Sequence, residues 1–228
     1  MLRIRTGARY GLRWGLCGFV AAVLTLSNDP THAAPYADIV VDANSGHVLH
    51  ADNADSLRHP ASITKIMTLY LLFEQLEAGK LKLDSPLKVS AEAAGQTPTK
   101  LGLKPGSTLA VEDAIKGMVT RSANDAAVVV AEAIAGNEDD FAKLMTRKAQ
   151  ALGMKNTVYK NASGLPDDNQ ITTARDQSTL GRAIQERFPR YYKYFSIRTF
   201  TFRGESISNH KAIYDRWSHR RRSKSWCR

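Results

Sequence analysis

Ser62 and Lys65, in the run Arg58-His59-Pro60-Ala61-Ser62-Ile63-Thr64-Lys65-Ile66-Met67-Thr68, have the types and spacing to do chemistry together. A serine hydroxyl becomes a nucleophile once a base takes its proton. A lysine amine can be that base when burial or a second cation lowers its pKa. Three residues apart on a helix, the two side chains share a face. The surrounding residues supply the helix: Pro60 suits a first turn, where its missing N–H is no loss. An apolar run continues to Phe73, and Gly79 marks the stop. The helix N-terminus adds backbone N–H groups where an oxyanion could develop.

Spacing alone does not single this pair out. Ser-x-x-Lys occurs three times, at Ser62/Lys65, Ser85/Lys88 and Ser208/Lys211, and such a motif needs structural context. Pro86 follows Ser85 and argues against a helix there. Ser208 ends a β-like stretch over 199–208. Only Ser62 opens an apolar helix. A second element lies at Arg121-Ser122-Ala123-Asn124-Asp125, between apolar helices expected over 111–119 and 126–134. Taken alone, Ser122 and Asn124 are ordinary helix caps.

Together, Ser-x-x-Lys and Ser-x-Asn resemble the signature of the penicillin-recognising serine enzymes, which Lys-Thr-Gly on a strand completes. The wording around them is similar to the serine D-alanyl-D-alanine carboxypeptidases, the low-molecular-mass penicillin-binding proteins. Lys100-Leu101-Gly102-Leu103-Lys104-Pro105-Gly106, Leu152-Gly153-Met154-Lys155-Asn156-Thr157, Ser163-Gly164-Leu165-Pro166, Thr172-Thr173-Ala174-Arg175-Asp176 and Ser208-Asn209-His210 agree with that family in order, over about residues 36–210. The resemblance implies a β-lactamase/transpeptidase-like α/β (α+β) fold: an antiparallel sheet with helices and an inserted helical subdomain. It implies four site residues. Lys65 deprotonates Ser62, which attacks the carbonyl between the terminal D-alanines of a peptidoglycan pentapeptide. Ser122 relays the proton to the leaving D-alanine, and Asn124 holds the substrate amide. Penicillin and other β-lactams would trap the same serine, and no cofactor is implied. A class A β-lactamase would add a glutamate with a following Asn on a loop, and no Glu-x-x-x-Asn lies between Ser122 and Ser208.

The elements that must position these residues follow in order. Residues 1–33 have a basic start (Arg3, Arg5, Arg9, Arg13), an apolar stretch over 14–26 and a small residue, Ala33, before Ala34. This is the pattern of a secretory signal peptide cleaved after Ala33, with an apolar stretch short of the ~20 residues a span needs. The expected location is secreted or periplasmic. Cys17 would leave with the signal, so Cys227 has no partner and no disulfide is expected. The six scattered histidines form no metal-ligand pattern. Short β-like runs at 38–42 and 47–50 flank Ala43-Asn44-Ser45-Gly46 and predict a hairpin, which in the family belongs to the sheet behind the serine helix. Residues 80–190 look helical, with Asn137 capping a helix to Leu152 and another over 173–187. Residues 159–170 form a loop, whose Asp167-Asp168 is read as a solvated turn. An alternating stretch over 198–203 is expected to pair with 206–211.

Charge sits at the ends. Residues 1–33 carry +3 and residues 211–228 carry +6, which leaves +1 of the formal +10 for residues 34–210. The basic run His219-Arg220-Arg221-Arg222-Ser223-Lys224 lacks the aromatic interleaving and the fold of a nucleic-acid binder, so no nucleic-acid partner is expected. Where the family continues to Lys-Thr-Gly, this sequence has Lys224-Ser225-Trp226 and ends at Arg228. An indole replaces the glycine that lets substrate backbone approach. The expected organisation is a signal over 1–33, an incomplete catalytic domain over 34–210 and an aberrant basic tail over 211–228. That tail would be an out-of-frame product, since a one-base shift of chosen codons turns 220–226 into Val-Asp-Gly-Val-Lys-Ala-Gly. The family's later strands and its membrane-associating C-terminal segment are expected to be missing. Such a chain would be impaired, with its serine helix poorly covered, and the alternative is a non-catalytic truncated remnant. The coding DNA tests the frame: no Lys-Thr-Gly-like sequence in the shifted frame downstream rejects it.

Overall fold

The structure, a computed structural model, describes residues 36–209. The signal segment, both cysteines, Lys211 and the basic tail lie outside the described residues.

The apolar run after Pro60 forms α1 (Thr64–Glu77), entered through a 3₁₀ turn over Ala61–Ile63. The helix therefore starts later than Pro60 suggested. Ala61 takes φ +47°, which leaves the right-handed path, so Ser62 rides the turn and Lys65 is the second helical residue. Gly79 stops the helix as expected, with φ +67° and its N–H on Leu76 O at 3.2 Å. Ten of the fourteen residues of α1 are buried, among them Met67, Leu72 and Phe73. A helix buried on nearly every side is a central helix, so the expectation of poor cover is wrong within the described residues.

Three helices supply the cover: α4 (Asn124–Ala135), α5 (Glu138–Ala151) and α6 (Ala174–Arg187) all pack on α1. Phe188 closes the lower end. Its ring meets Tyr70 edge-on at 4.9 Å and Phe73 at 5.7 Å, and Tyr191 stacks on Phe73 at 5.0 Å. Each such side chain contributes roughly 1.5–3 kcal/mol by burial. The caps behave as their types predict. Asn137 Oδ1 accepts from Asp140 N–H at 2.8 Å to start α5, and Thr173 Oγ1 accepts from Asp176 N–H at 3.1 Å to start α6.

Ahead of α4, α3 (Val111–Arg121) occupies the expected helical stretch. Three short elements within 80–190 were not expected: β3 (Pro86–Lys88), α2 (Ala91–Gly95) and β4 (Thr108–Ala110), with β3 antiparallel to β4. Each strand has three residues, too few for alternation to register. A further turn of helix, α7 (Pro189–Tyr192), follows Phe188.

The sheet exists as separate two-stranded ribbons. β1 (Asp38–Val41) and β2 (Val48–Asp52) form the expected hairpin. Its main packing partner is α6, where Arg182 Nε donates to Ala43 O at 3.1 Å and the guanidinium lies against Gly46. The hairpin thus backs the serine helix through α6. β5 (Thr199–Phe202) pairs with β6 (Glu205–Ser208), and Thr199 faces Ser208. The turn falls on Arg203-Gly204, both at positive φ, so the second strand starts one residue earlier than expected. Phe200 and Ile207 are buried, and the hairpin packs on α3.

A buried polar chain ties α6 to the segment before Ser62. Gln177 Nε2 donates to Thr172 Oγ1 at 2.9 Å, the Thr172 and Thr157 hydroxyls meet at 2.8 Å, and Thr157 donates to Asp176 Oδ2 at 2.7 Å. Asn156 N–H donates to the same oxygen at 2.9 Å. Thr172 then exchanges two backbone hydrogen bonds with Arg58, each 2.8 Å. Asp176→Ala leaves two donors without their acceptor and is expected to destabilise the fold by about 3 kcal/mol. Urea unfolding would show this as a lower midpoint at unchanged slope.

Candidate active site

Lys65 sits at the centre of the site, 3% exposed at the start of α1. Its Nζ donates to Asn124 Oδ1 at 2.7 Å and to Ser163 O at 2.5 Å. Both acceptors are neutral dipoles. Among the described residues no carboxylate holds the ammonium charged, and burial lowers the lysine pKa from 10.5 to about 8.

Asn124 is the first residue of α4, but it does not serve as a side-chain cap. The N-cap is Ala123, and the α4 start has no side-chain cap bond. Asn124 Nδ2 donates to Thr97 O at 2.9 Å, which turns Oδ1 toward Lys65. Ser122 is the left-handed residue that ends α3, at φ +56°, and its buried Oγ has no hydrogen-bond partner among the described residues. The capping reading therefore fails for both residues. One side chain orients the amine, and the other is a hydroxyl held without a partner. The turn is braced from below. Asp125, with no exposed surface, accepts from Leu101 N–H at 2.9 Å and Leu103 N–H at 3.1 Å, and Thr99 Oγ1 donates to Ser122 O at 3.0 Å.

Ser62 is exposed on the 3₁₀ turn, three residues before Lys65. The other Ser-x-x-Lys pairs lie elsewhere. Ser85 Oγ accepts from Lys82 N–H at 2.9 Å, Ser85 directly precedes β3, and Ser208 is in β6.

The sequence reading missed the loop that completes the site. Residues 161–165 lie against both Ser62's turn and Lys65. Asn161 Oδ1 accepts from Gly164 N–H at 2.7 Å, and Gln170 Oε1 accepts from Lys160 N–H at 3.0 Å and Asn161 N–H at 3.2 Å. Gly164, at φ +86°, packs so closely that a Cβ there would lie 1.8 Å from Ala61 O. The Lys65 contact is made by a backbone carbonyl, which no residue type announces. The sequence signals were a glycine in a polar loop and the agreement of Ser163-Gly164-Leu165-Pro166 with the family, neither of which assigns the loop a role. Asp167 behaves as a turn residue: Asn169 N–H donates to its Oδ1 at 2.8 Å, and Asp168 is exposed. Among the described residues no group of three or more His, Cys, Asp or Glu is placed to hold a metal ion. Among the same residues no helix is long and apolar enough to cross a membrane.

Ser62-x-x-Lys65 thus spans the entry to the central helix, and Ser122-x-Asn124 spans the entry to α4. Residues 24–220 match the family D-alanyl-D-alanine carboxypeptidase, Peptidase_S11. The chain belongs to this family. It is 39% identical over 172 residues to D-alanyl-D-alanine carboxypeptidase DacA of Escherichia coli (strain K12), covering 73% of this chain and 43% of that protein. It is 35% identical over 175 residues to D-alanyl-D-alanine carboxypeptidase DacF of Bacillus subtilis (strain 168), covering 77% of this chain and 43% of DacF. Penicillin binding protein 5 from Haemophilus influenzae superposes with a TM-score of 0.75 at 33% identity, covering 79% of this chain and 54% of that one. The chain thus spans under half the length of these two curated relatives.

Gly164→Ala tests the close approach to the Ser62 turn. A left-handed backbone costs an alanine roughly 1–2 kcal/mol, and the Ala61 carbonyl must also move. The expected loss is about 2–4 kcal/mol in unfolding free energy, with a matching fall in the thermal midpoint.

Proposed function

We propose that the chain carries the acylation site of a serine D-alanyl-D-alanine carboxypeptidase, which removes the terminal D-alanine from peptidoglycan stem peptides through an acyl-enzyme. The observation that carries this reading is the buried amine of Lys65, three residues after an exposed serine and bonded only to neutral oxygens. At a pKa of about 8, roughly one-tenth of Lys65 is free base at pH 7. An ordinary lysine offers about one part in three thousand, so burial raises the supply of base about three-hundredfold.

In the forward step Lys65 Nζ takes the Ser62 proton, and Oγ forms a bond to the substrate carbonyl carbon. The resulting ammonium keeps two acceptors, Asn124 Oδ1 and Ser163 O. Asn124 Oδ1 has a second lone pair for the substrate amide N–H. The Ser122 hydroxyl, unpartnered in the free protein, relays a proton to the departing D-alanine amine as the C–N bond breaks. Water then hydrolyses the ester at Ser62. A β-lactam offers the same serine a strained amide and forms the same ester, so penicillins belong to the ligand class. Peptidoglycan lies outside the cytoplasmic membrane, and the signal-like start of the sequence supports an exported protein.

Fluorescent penicillin is the direct test. Wild-type protein is expected to form a covalent adduct on Ser62, absent in Ser62→Ala and slowed about 10²–10⁴-fold in Lys65→Ala. Because the base must be neutral, the acylation rate should rise tenfold per pH unit below about pH 8 and level off above it. An unlabelled wild-type chain overturns this reading in favour of a non-catalytic remnant, and rapid turnover of the β-lactam points to a β-lactamase instead.

A further inference from the structure

Ala162 is the point where two helices grip the loop that faces Lys65. Its C=O accepts from Thr68 Oγ1 at 2.7 Å, and its N–H donates to Glu138 Oε1 at 2.8 Å. Ala162 and Thr68 have no exposed surface. Thr68 follows Lys65 by three residues on α1, so one helical face holds two successive carbonyls: Ala162 O through Thr68 and Ser163 O through Lys65. Glu138 approaches from the other side, in the first turn of α5.

Glu138 is half-buried, and the charged neighbours that act on it are acids. Glu92 lies on α2, Glu132 on α4 and Asp139 beside it on α5. Burial, followed by these like charges, raises its pKa, and the Ala162 N–H works against that rise. A carboxyl among acids is costly to keep there, and the α5 N-terminus offsets only part of that cost. Its bond goes to the Asn161–Ala162 peptide, two peptides before the Ser163 carbonyl that accepts from Lys65 Nζ.

We propose that Glu138 is a positioning residue for the Lys65 base: by fixing the Ala162 peptide, it aims the Ser163 carbonyl at Lys65 Nζ. The orientation and proton affinity of the amine then depend on a side chain that never touches it. This rests on reading Lys65 as the base for Ser62.

The test measures Lys65 directly, by NMR titration of its Cε, alongside fluorescent-penicillin acylation, in wild type, Glu138→Ala, Glu138→Gln and Asp139→Asn. Removing the carboxyl frees the Ala162 N–H, and the Ser163 carbonyl leaves Nζ. The ammonium loses an acceptor that favours the charged form, so the Lys65 midpoint in Glu138→Ala should move to lower pH. Acylation at the alkaline plateau should slow by about tenfold to a hundredfold, because the amine is no longer aimed. Glu138→Gln keeps an oxygen on the Ala162 N–H and should restore midpoint and rate to within about threefold. Asp139→Asn, an exposed change on the same turn, should move neither.

An unmoved or raised midpoint in folded Glu138→Ala overturns the proposal, and so does a slowed rate that Gln does not restore. If Glu138→Ala does not fold, Glu138→Met fills the space without an oxygen and is judged by the same outcomes. The two measurements separate the ideas. A lowered Lys65 midpoint in Glu138→Ala, with no acylation even in wild type, keeps the positioning and removes the enzyme reading. Normal acylation in wild type with no midpoint shift in the variant does the reverse.

Discussion

One buried nitrogen organises this molecule. Lys65 Nζ draws in Asn124, 59 residues away in sequence, and Ser163, 98 residues away. Holding a lysine there works against folding. A pKa depressed from 10.5 to about 8 is a penalty of about 3 kcal/mol at neutral pH. The sign follows from proton counting. Below about pH 8 both states hold the proton and the penalty is full. Between pH 8 and 10.5 the unfolded chain holds more protons, so stability rises with pH until the penalty has gone. In return a usable fraction of the amine is neutral, and the two hydrogen bonds keep it aimed in either protonation state.

That penalty is tolerable because the helix carrying the amine is also the core. Met67, Leu71, Leu72 and Phe73 anchor α1 among α4, α5, α6 and Phe188, so Lys65 stands on the most enclosed element of the described fold. The hairpins lie at the periphery, with β2 exposed along its whole length and β5–β6 joined to α3. The site depends on neither ribbon directly. It depends on helix starts and on the two loops, 97–103 and 161–165, whose backbone groups are hydrogen-bonded by residues of those helices.

What the sequence made legible is what lies close together in it. Ser62 and Lys65 share a turn, and the apolar run behind them identifies α1. Ser122 and Asn124 share another turn, and the two motifs together raised them above ordinary caps. The Ser163 carbonyl could not be found this way, because any residue type supplies one and its partner is 98 positions off. Gly164 looked like a loop glycine, and its contact with the Ala61 carbonyl needs the folded chain to appear. The start of α1 was misjudged for a related reason. Pro60 does permit a helix, but the loop packed against Ala61 accompanies a left-handed residue that delays it. Asp125 and Glu138 are acids at helix starts, where a favourable macrodipole interaction is the ordinary explanation. Only their buried backbone partners distinguish them.

Two of the left-handed residues flank the candidate site. Of the four non-glycine residues at positive φ among the described residues, Arg203 makes a hairpin turn and Asn53 follows β2, but Ala61 precedes Ser62 and Ser122 precedes the Asn124 turn. Such conformations cost of order 1–3 kcal/mol each and persist only where the surroundings over-determine them. Here the surroundings are visible: Gly164 against Ala61 on one side, and Thr99 and Asp125 around Ser122 on the other. An αR Ala61 would extend the helix through Ser62, and an αR Ser122 would extend α3 past its turn. The strain therefore breaks two helices at the points that present the serines, one hydroxyl at the surface and one buried without a partner. Regular helix would have been more stable locally and would have used both residues as surface or cap.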